Sequence, residues 1–213
     1  LTVMGEEGRT FSQEDGETLL ALARQAAVAI DNAHMHRVIA KQALTDGLTG
    51  LSNHRAFQDQ LRNEVERSQR FGLPLSLILL DLDEFKQVND LHGHLAGDTV
   101  LRGVASVLRS AIREIDMAAR YGGEEFAIVL PGTSAEGAVR LAERLRVAVA
   151  ARPMGGGEGV PVACTASFGV AEMPGNAQTQ VDLIAAADGA LYAAKQGGRN
   201  RVIAAARNRA PRA

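Results

Sequence analysis

The sequence has almost no cysteine, almost no excess of charge and no long apolar run, and each shortage excludes something. A single cysteine, Cys164, serves 213 residues, so no internal disulfide can form. Set in the apolar run Val162-Ala163-Cys164, it reads as a buried structural thiol rather than a nucleophile. The formal net charge is −2, with acids and bases mixed along most of the chain. That balance lacks the cationic footprint of a protein that grips a nucleic-acid polymer. No apolar stretch approaches the ~20 residues that a membrane-spanning helix needs. The first residues are too polar for a signal peptide and have no basic start. A soluble protein with a cytoplasmic address is therefore expected. The apolar fraction of 46% can still supply a full core. The length suits one ample domain with an appendage.

The chain divides near residue 45. Between Glu14 and Ala43 there is no proline and one glycine, Gly16. Leu22, Ala26, Ala29, Ala33, His36, Ala40 and Ala43 recur at alternating steps of four and three. This heptad-like stripe predicts a helix of roughly 45 Å. It favours a signalling helix that pairs with its twin, although a single helix packed on other neighbours would explain the alanines too. His34 and His36 read as solvent-facing or interhelical residues, not as metal ligands.

Beyond Thr45, helical and strand patterns alternate. Phe57, Leu61 and Val65 mark a helix that should end by Gly72-Leu73-Pro74. Leu75 to Leu82 reads as a buried central strand. Leu101, Val104, Ala105, Leu108 and Ile112 predict one amphipathic helix. Met117 to Tyr121 and Glu125 to Leu130 predict a hairpin joined through Gly122-Gly123, both of which can take positive φ. A third helix carries Ala138, Leu141, Ala142, Leu145 and Ala148. The cluster Gly155-Gly156-Gly157 marks a flexible loop. A strand over Val162 to Ala171 and a helix carrying Leu183, Ile184, Ala187 and Leu191 complete the series. The class is α+β (mixed α/β): a central sheet containing an antiparallel hairpin, flanked by helices.

The acids stand where the chemistry should be. Leu80-Asp81-Leu82-Asp83 ends the central strand, and an ionised carboxylate in an apolar strand is costly unless a cation or donors meet it. Glu124-Glu125 follows the hairpin glycines. If hairpin and strand are neighbours, up to four carboxylates converge at one rim and demand a metal or raised pKa values. Oxygen ligands of this kind suit Mg²⁺ or Mn²⁺, held by one or two carboxylates plus substrate phosphates. Asp83 or Glu125 alone could be a solvated strand-end charge.

Four segments together resemble a known family. Gly122-Gly123-Glu124-Glu125-Phe126 resembles the GGEEF variant of the GGDEF signature. Asp46 to Arg55 (DGLTGLSNHR) resembles the family's opening motif, and Asp81 to Asp98 (DLDEFKQVNDLHGHLAGD) its metal- and guanine-binding segment. Asp188 to Asn200 (DGALYAAKQGGRN) resembles its closing motif. The four run in family order over about Thr45 to Ile203. The resemblance implies a palm-like nucleotide cyclase domain over residues 45–205, condensing two GTP into cyclic di-GMP with two Mg²⁺ or Mn²⁺ per active site.

Carried over by position, Asp81, the Leu82 carbonyl and Glu124 would bind metal. Glu125 would support the second metal or act as base. Gly122 and Gly123 would let backbone approach the phosphates. Asn89 and Asp98 would read guanine with His94 nearby. Lys86 would stabilise phosphate charge, while Lys195 and Arg199 would clamp the terminal phosphates. Arg113 and Asp116, an RxxD pair six positions ahead of Gly122, resemble the family's inhibitory site for cyclic di-GMP, with Arg144 as a further contact.

Each domain would hold one GTP, so a homodimer is implied, with residues 16–44 pairing as the signalling helix. Phe11 to Ala23 resembles the end of a GAF sensor domain, of which residues 1–15 would be a remnant, and a longer natural protein is expected at that end. Residues 206–213 form a basic tail. No Glu-Ala-Leu phosphodiesterase domain is expected to follow. The competing expectation is a catalytically inactive module that only binds GTP or cyclic di-GMP.

Overall fold

The computed structural model describes residues 12–42, 44–151, 153–154 and 161–206. The expected sensor remnant before Ser12, Ala43, the glycine cluster 155–157 and the tail from residue 207 lie outside the described residues. So do the side chains of Ala29, Ala33, His34, His36 and Ala40. The chain forms two compact units, Leu1–Ala43 and Leu44–Ala213.

The first unit contains one unbroken helix, α1 (Gln13–Gln42). It opens on a reciprocal capping box: Asp15 N–H donates to Ser12 Oγ at 3.1 Å, and Ser12 N–H donates to Asp15 Oδ2 at 2.9 Å. Leu20, Leu22, Val28 and Ile30 are exposed along it.

The second unit runs α2 (His54–Phe71), β1 (Leu75–Leu82), α3 (Phe85–His92), α4 (His94–Ala111), β2 (Met117–Arg120), β3 (Glu125–Pro131), α5 (Ala135–Ala151), β4 (Ala166–Met173), α6 (Gln180–Gln196) and β5 (Val202–Ala204). The five strands lie in the order β2-β3-β1-β4-β5. Every pairing is antiparallel except β4 with β5, which is parallel.

Strand alternation divides the core in two. Ile78, Leu80 and Leu82 of β1 face one side with Phe126, Ile128 and Phe168, where Val100, Val104 and Leu108 of α4 and Leu145 of α5 cover them. Leu75, Leu77 and Leu79 face the other side, under Phe57, Leu61 and Val65 of α2 and Leu183, Ala187 and Leu191 of α6. Because β1 is central, all eight of its residues are buried, Asp81 among them. Local signals set the helix ends. Asn53 caps α2 by accepting from Ala56 N–H at 3.0 Å, and Gly72 closes it in the left-handed conformation at φ 65°.

Three sequence expectations need correction, and one strand was not expected. The helix after β1 is two helices, because Gly93 (φ 80°) breaks the chain between α3 and α4. The hairpin glycines take no positive φ; a four-residue turn, Tyr121 to Glu124, closes instead with Tyr121 and Gly122 N–H both donating to Glu125 O. A Cβ at Gly122 would meet the tip of the Glu125 side chain, so a larger residue there would displace that carboxylate. The strand expected from Val162 begins at Ala166, because β1 ends at Leu82, whose partner is Ala166. Val162 pairs with Met154 in an isolated bridge. Finally, β5 had no expectation at all; three residues are too few to show a period.

Helix α6 presses unusually close to β4 at Gly169. A Cβ there would collide with the backbone at Ala187 O and Leu191 N, and backbone cannot rotate away as a side chain can. Gly169→Ala is expected to destabilise the domain by about 3 kcal/mol, the upper end of overpacking costs. Thermal unfolding of the two proteins measures this directly.

Candidate active site

The register of β1 against β3 places Asp81 opposite Glu125, so the acids of strand and hairpin meet at one sheet rim. Leu82 N–H also donates to Glu124 O at 3.3 Å, tying the turn to the strand end. From the opposite side α6 delivers Lys195, whose Nζ lies 2.7 Å from Asp81 Oδ2. Burial pushes the Asp81 carboxyl above the usual carboxylate range. Lys195 pulls it back without winning, and Asp83 adds a smaller push. Glu124 is raised as well, first by burial and then by the charge of Asp81.

The expectation of four converging carboxylates fails at Asp83. Its side chain accepts from Thr165 Oγ1 at 2.6 Å, Ser167 Oγ at 2.7 Å and Asn200 N–H at 3.0 Å. Those donors occupy most of its lone-pair sites and make it a structural tie between β1, β4 and the closing motif. Glu84, Arg199 and Asn200, all non-glycine, hold positive φ (56°, 60° and 45°) around it. Such backbone costs energy and persists only where neighbours fix it; Asp83 holds Asn200 through its N–H, and Ala194 O holds the N–H of Arg199.

The signature turn is clamped from two sides by residues that carried no site expectation. Tyr121 packs edge-on against Phe57 with ring centroids 5.3 Å apart, and lies 4.9 Å from His54. Arg120 donates from Nε and Nη2 to Gly123 O at 3.1 and 2.7 Å. Its Nη1 meets both Asp46 oxygens at 3.3 and 3.2 Å. Asp46 in turn accepts from the N–H and hydroxyl of Thr49. Burial opposes its charge, but the Thr49 hydrogen bonds and Arg120 outweigh that and hold its carboxyl below the usual range. Arg120 could have been suspected from its place beside the Gly-Gly pair, but nothing local links it to Asp46, 74 positions away.

The remaining expected residues divide into groups. Half-buried Asn89 on α3 lies beside α4, where only the missing side chain of Gly97 leaves room for its Oδ1. Asp98 is the next residue along α4, loosely paired with Arg102 at 4.0 Å, and exposed His94 precedes it by a turn. Lys86 is exposed in the first turn of α3. Arg199 lines a cavity of about 540 Å³ shared with Asp83, Glu84, Gln87 and Cys164. Burial, with a push from Asp83, raises that thiol to about 11, which leaves it unreactive near neutral pH.

Arg113, Asp116 and Arg144 gather elsewhere, in a cavity of about 190 Å³. Arg140 joins them there, one turn before Arg144, and was not among the expected residues. Asp116 Oδ2 accepts from Arg113 N–H at 2.9 Å, while its Oδ1 is buried without a hydrogen-bond partner.

Among the described residues, no three His, Cys, Asp or Glu side chains form a ready metal cage. Two buried or half-buried carboxylates at one rim nevertheless fit Mg²⁺ or Mn²⁺, which complete their shells with water and substrate phosphates. Thiolate or imidazole metals do not fit this donor set. No described helix is long and apolar enough to cross a membrane.

A mostly antiparallel sheet bearing acids at the end of its central strand and on the adjoining hairpin is the frame of the site. Comparison with known proteins identifies the family. The profile described as diguanylate cyclase, GGDEF domain, matches residues 43–201, and the chain belongs to that family. Diguanylate cyclase DgcP of Pseudomonas aeruginosa is 46% identical over 170 residues, covering 79% of this chain and 25% of that protein. Curated relatives of this kind are spanned over 25% to 54% of their own length. The coiled coil and GGDEF domain of DgcB from Caulobacter crescentus, solved with c-di-GMP, superposes with a TM-score of 0.81 at 36% identity. It covers 88% of this chain and 100% of that one. The active GGEEF domain of a Vibrio cholerae diguanylate cyclase gives a TM-score of 0.68 at 35% identity, covering 74% and 99%.

The Asp46–Arg120 pair is mostly shielded, with side chains 21% and 19% exposed. Arg120→Met leaves that carboxylate without its cation and frees the Gly123 carbonyl. A loss of about 2 kcal/mol is expected, or roughly 5 °C in Tm. The double variant with Asp46→Asn should lose less than the two single variants added together. Calorimetry of the four proteins closes the cycle.

Proposed function

We propose that the chain is the catalytic part of a diguanylate cyclase, condensing two GTP into cyclic di-GMP and two pyrophosphates across a homodimer. The observation that carries this is the juxtaposition of Asp81, Glu124 and Lys195 at the rim of the central strand. The family relationship supports the same reading.

In this reading Asp81 and Glu124 hold divalent metal with the Leu82 carbonyl, and Glu125 supports a second metal or accepts a proton. The metals, when bound, neutralise the triphosphate, activate a 3′-hydroxyl and stabilise the departing pyrophosphate. Each 3′-hydroxyl attacks the α-phosphorus of the other GTP; a P–O bond to the ribose forms as the one to pyrophosphate breaks. Lys86, Lys195 and Arg199 balance phosphate charge. Gly122 and Gly123 keep the turn clear of side chains that would obstruct the phosphates. Asn89 and Asp98 read guanine, which offers both donors and acceptors on its edge, with His94 beside them. A base lacking those donors would leave Asp98 unpaired, which is the basis of specificity.

One GTP per domain requires two domains face to face. Helix α1 with its exposed Leu22, Val28 and Ile30 is suited to bring them together, and the DgcB fragment that matches along its whole length includes a coiled coil. We assign residues 1–15 to the end of a GAF-like sensor. Product inhibition falls to Arg113, Asp116 and Arg144, joined by Arg140. Arginine forks suit phosphate and guanine edges, and the unpartnered Asp116 Oδ1 offers an acceptor for guanine N–H.

Nucleotide-stripped protein incubated with GTP and Mg²⁺ should yield cyclic di-GMP by chromatography, and Glu124→Gln should lower the rate by at least about a hundredfold. GTP binding without product at high protein concentration would favour the inactive binding module instead. Added cyclic di-GMP should slow the wild type, while Arg113→Ala should need about tenfold more for the same effect. Unchanged inhibition in that variant would remove the RxxD assignment.

A further inference from the structure

We propose that Lys195 is a stand-in cation that occupies the metal-binding carboxylate until a triphosphate draws it away, and so couples metal binding to GTP binding. This rests on the reading of Asp81 as a metal ligand.

The Asp81 side chain is only 9% exposed, and Lys195 is its one ion-pair partner among the described residues. A carboxylate that far from water needs a cation, and breaking such a pair on one side is expensive. Its neighbours cannot help. Asp83 is itself an anion and already accepts three hydrogen bonds, from Thr165, Ser167 and Asn200. Glu124, on the adjoining turn, adds a further negative charge. The ammonium at 2.7 Å from Oδ2 therefore neutralises the strand end on its own.

An ammonium 2.7 Å from Oδ2 and a divalent cation brought to the same carboxylate repel each other and compete for its lone pairs. A metal arriving alone must displace Lys195 or bind against its charge, with no phosphate to receive the ammonium. A metal arriving with a triphosphate meets a different situation. Lys195 is more exposed than Asp81 (37% against 9%), sits on the last turn of α6 and can swing from carboxylate to phosphate. The ion pair is then exchanged rather than lost. By linkage, nucleotide tightens metal and metal tightens nucleotide by the same factor. The rim keeps a nearly constant charge through the cycle, and metal is not held idle without substrate.

The test is Mn²⁺ binding to the nucleotide-free full chain, followed by calorimetry and by the electron paramagnetic resonance of free Mn²⁺. Lys195→Met removes the competitor and should tighten Mn²⁺ on the order of tenfold relative to wild type, one decade for each 1.4 kcal/mol of competing ion pair released. Asp81→Asn should abolish the site. If Lys195→Met fails to fold, Lys195→Gln, which keeps a polar end without the charge, takes its place with the same expectation. Unchanged or weaker Mn²⁺ binding in the lysine variants, with binding still lost in Asp81→Asn, would overturn the stand-in role and leave the metal assignment intact. Mn²⁺ binding that survives Asp81→Asn unchanged would overturn both.

Discussion

The antiparallel register of β1 against β3 is the constraint from which the rest of the site follows. With Asp81 opposite Glu125, Glu124 falls at the first position beyond the ladder. A slip of one residue would exchange the two faces of β3, sending the Phe126 side into the α2–α6 layer and misaligning the acids. Register is therefore protected by the whole core: every pair from Leu75↔Pro131 to Leu80↔Phe126 repeats the same alignment. Packing energy spread over two helical layers is thus focused on the position of two carboxylates.

A second set of ties holds the loops around that rim. Asp83 spends its charge on β4 and the closing motif, and the strained Glu84, Arg199 and Asn200 surround it. Arg120 performs the matching task on the other side, joining the turn at Asp46 to the carbonyl of Gly123. Neither residue needs to touch a substrate to matter. Both set where the residues that would touch it can be. The loop between β1 and α3 and the turn between β2 and β3 are in this way fixed before any ligand arrives, which is the condition for electrostatic catalysis without reorganisation.

Much of this was legible beforehand, and for physical reasons. The apolar run of β1, broken only by Ser76 and Asp81, gave its bounds residue for residue, because a strand buried on both faces reads as a nearly continuous apolar stretch. The family motifs placed Asp81, Glu124 and Lys195 in the sequence, and the RxxD pair with Arg144 does gather in one cavity. The rest depended on contacts between distant segments. Asp83 looked like a fourth rim acid because its partners, Thr165, Ser167 and Asn200, are far along the chain. Arg120 and Asp46 are likewise paired only by the fold, and β5 becomes a strand only because β4 offers it an edge. The break at Gly93 was visible as a glycine, but the helical period on either side concealed it.

The most direct measurement is a crystal grown with Mn²⁺ and a non-hydrolysable GTP analogue, located by anomalous scattering. A manganese peak bounded by Asp81 and Glu124, with Lys195 turned from the carboxylate to the phosphates, is the predicted result. A peak elsewhere, or nucleotide bound while Lys195 stays on Asp81 and no metal enters, would contradict the assignment of this rim as the catalytic centre.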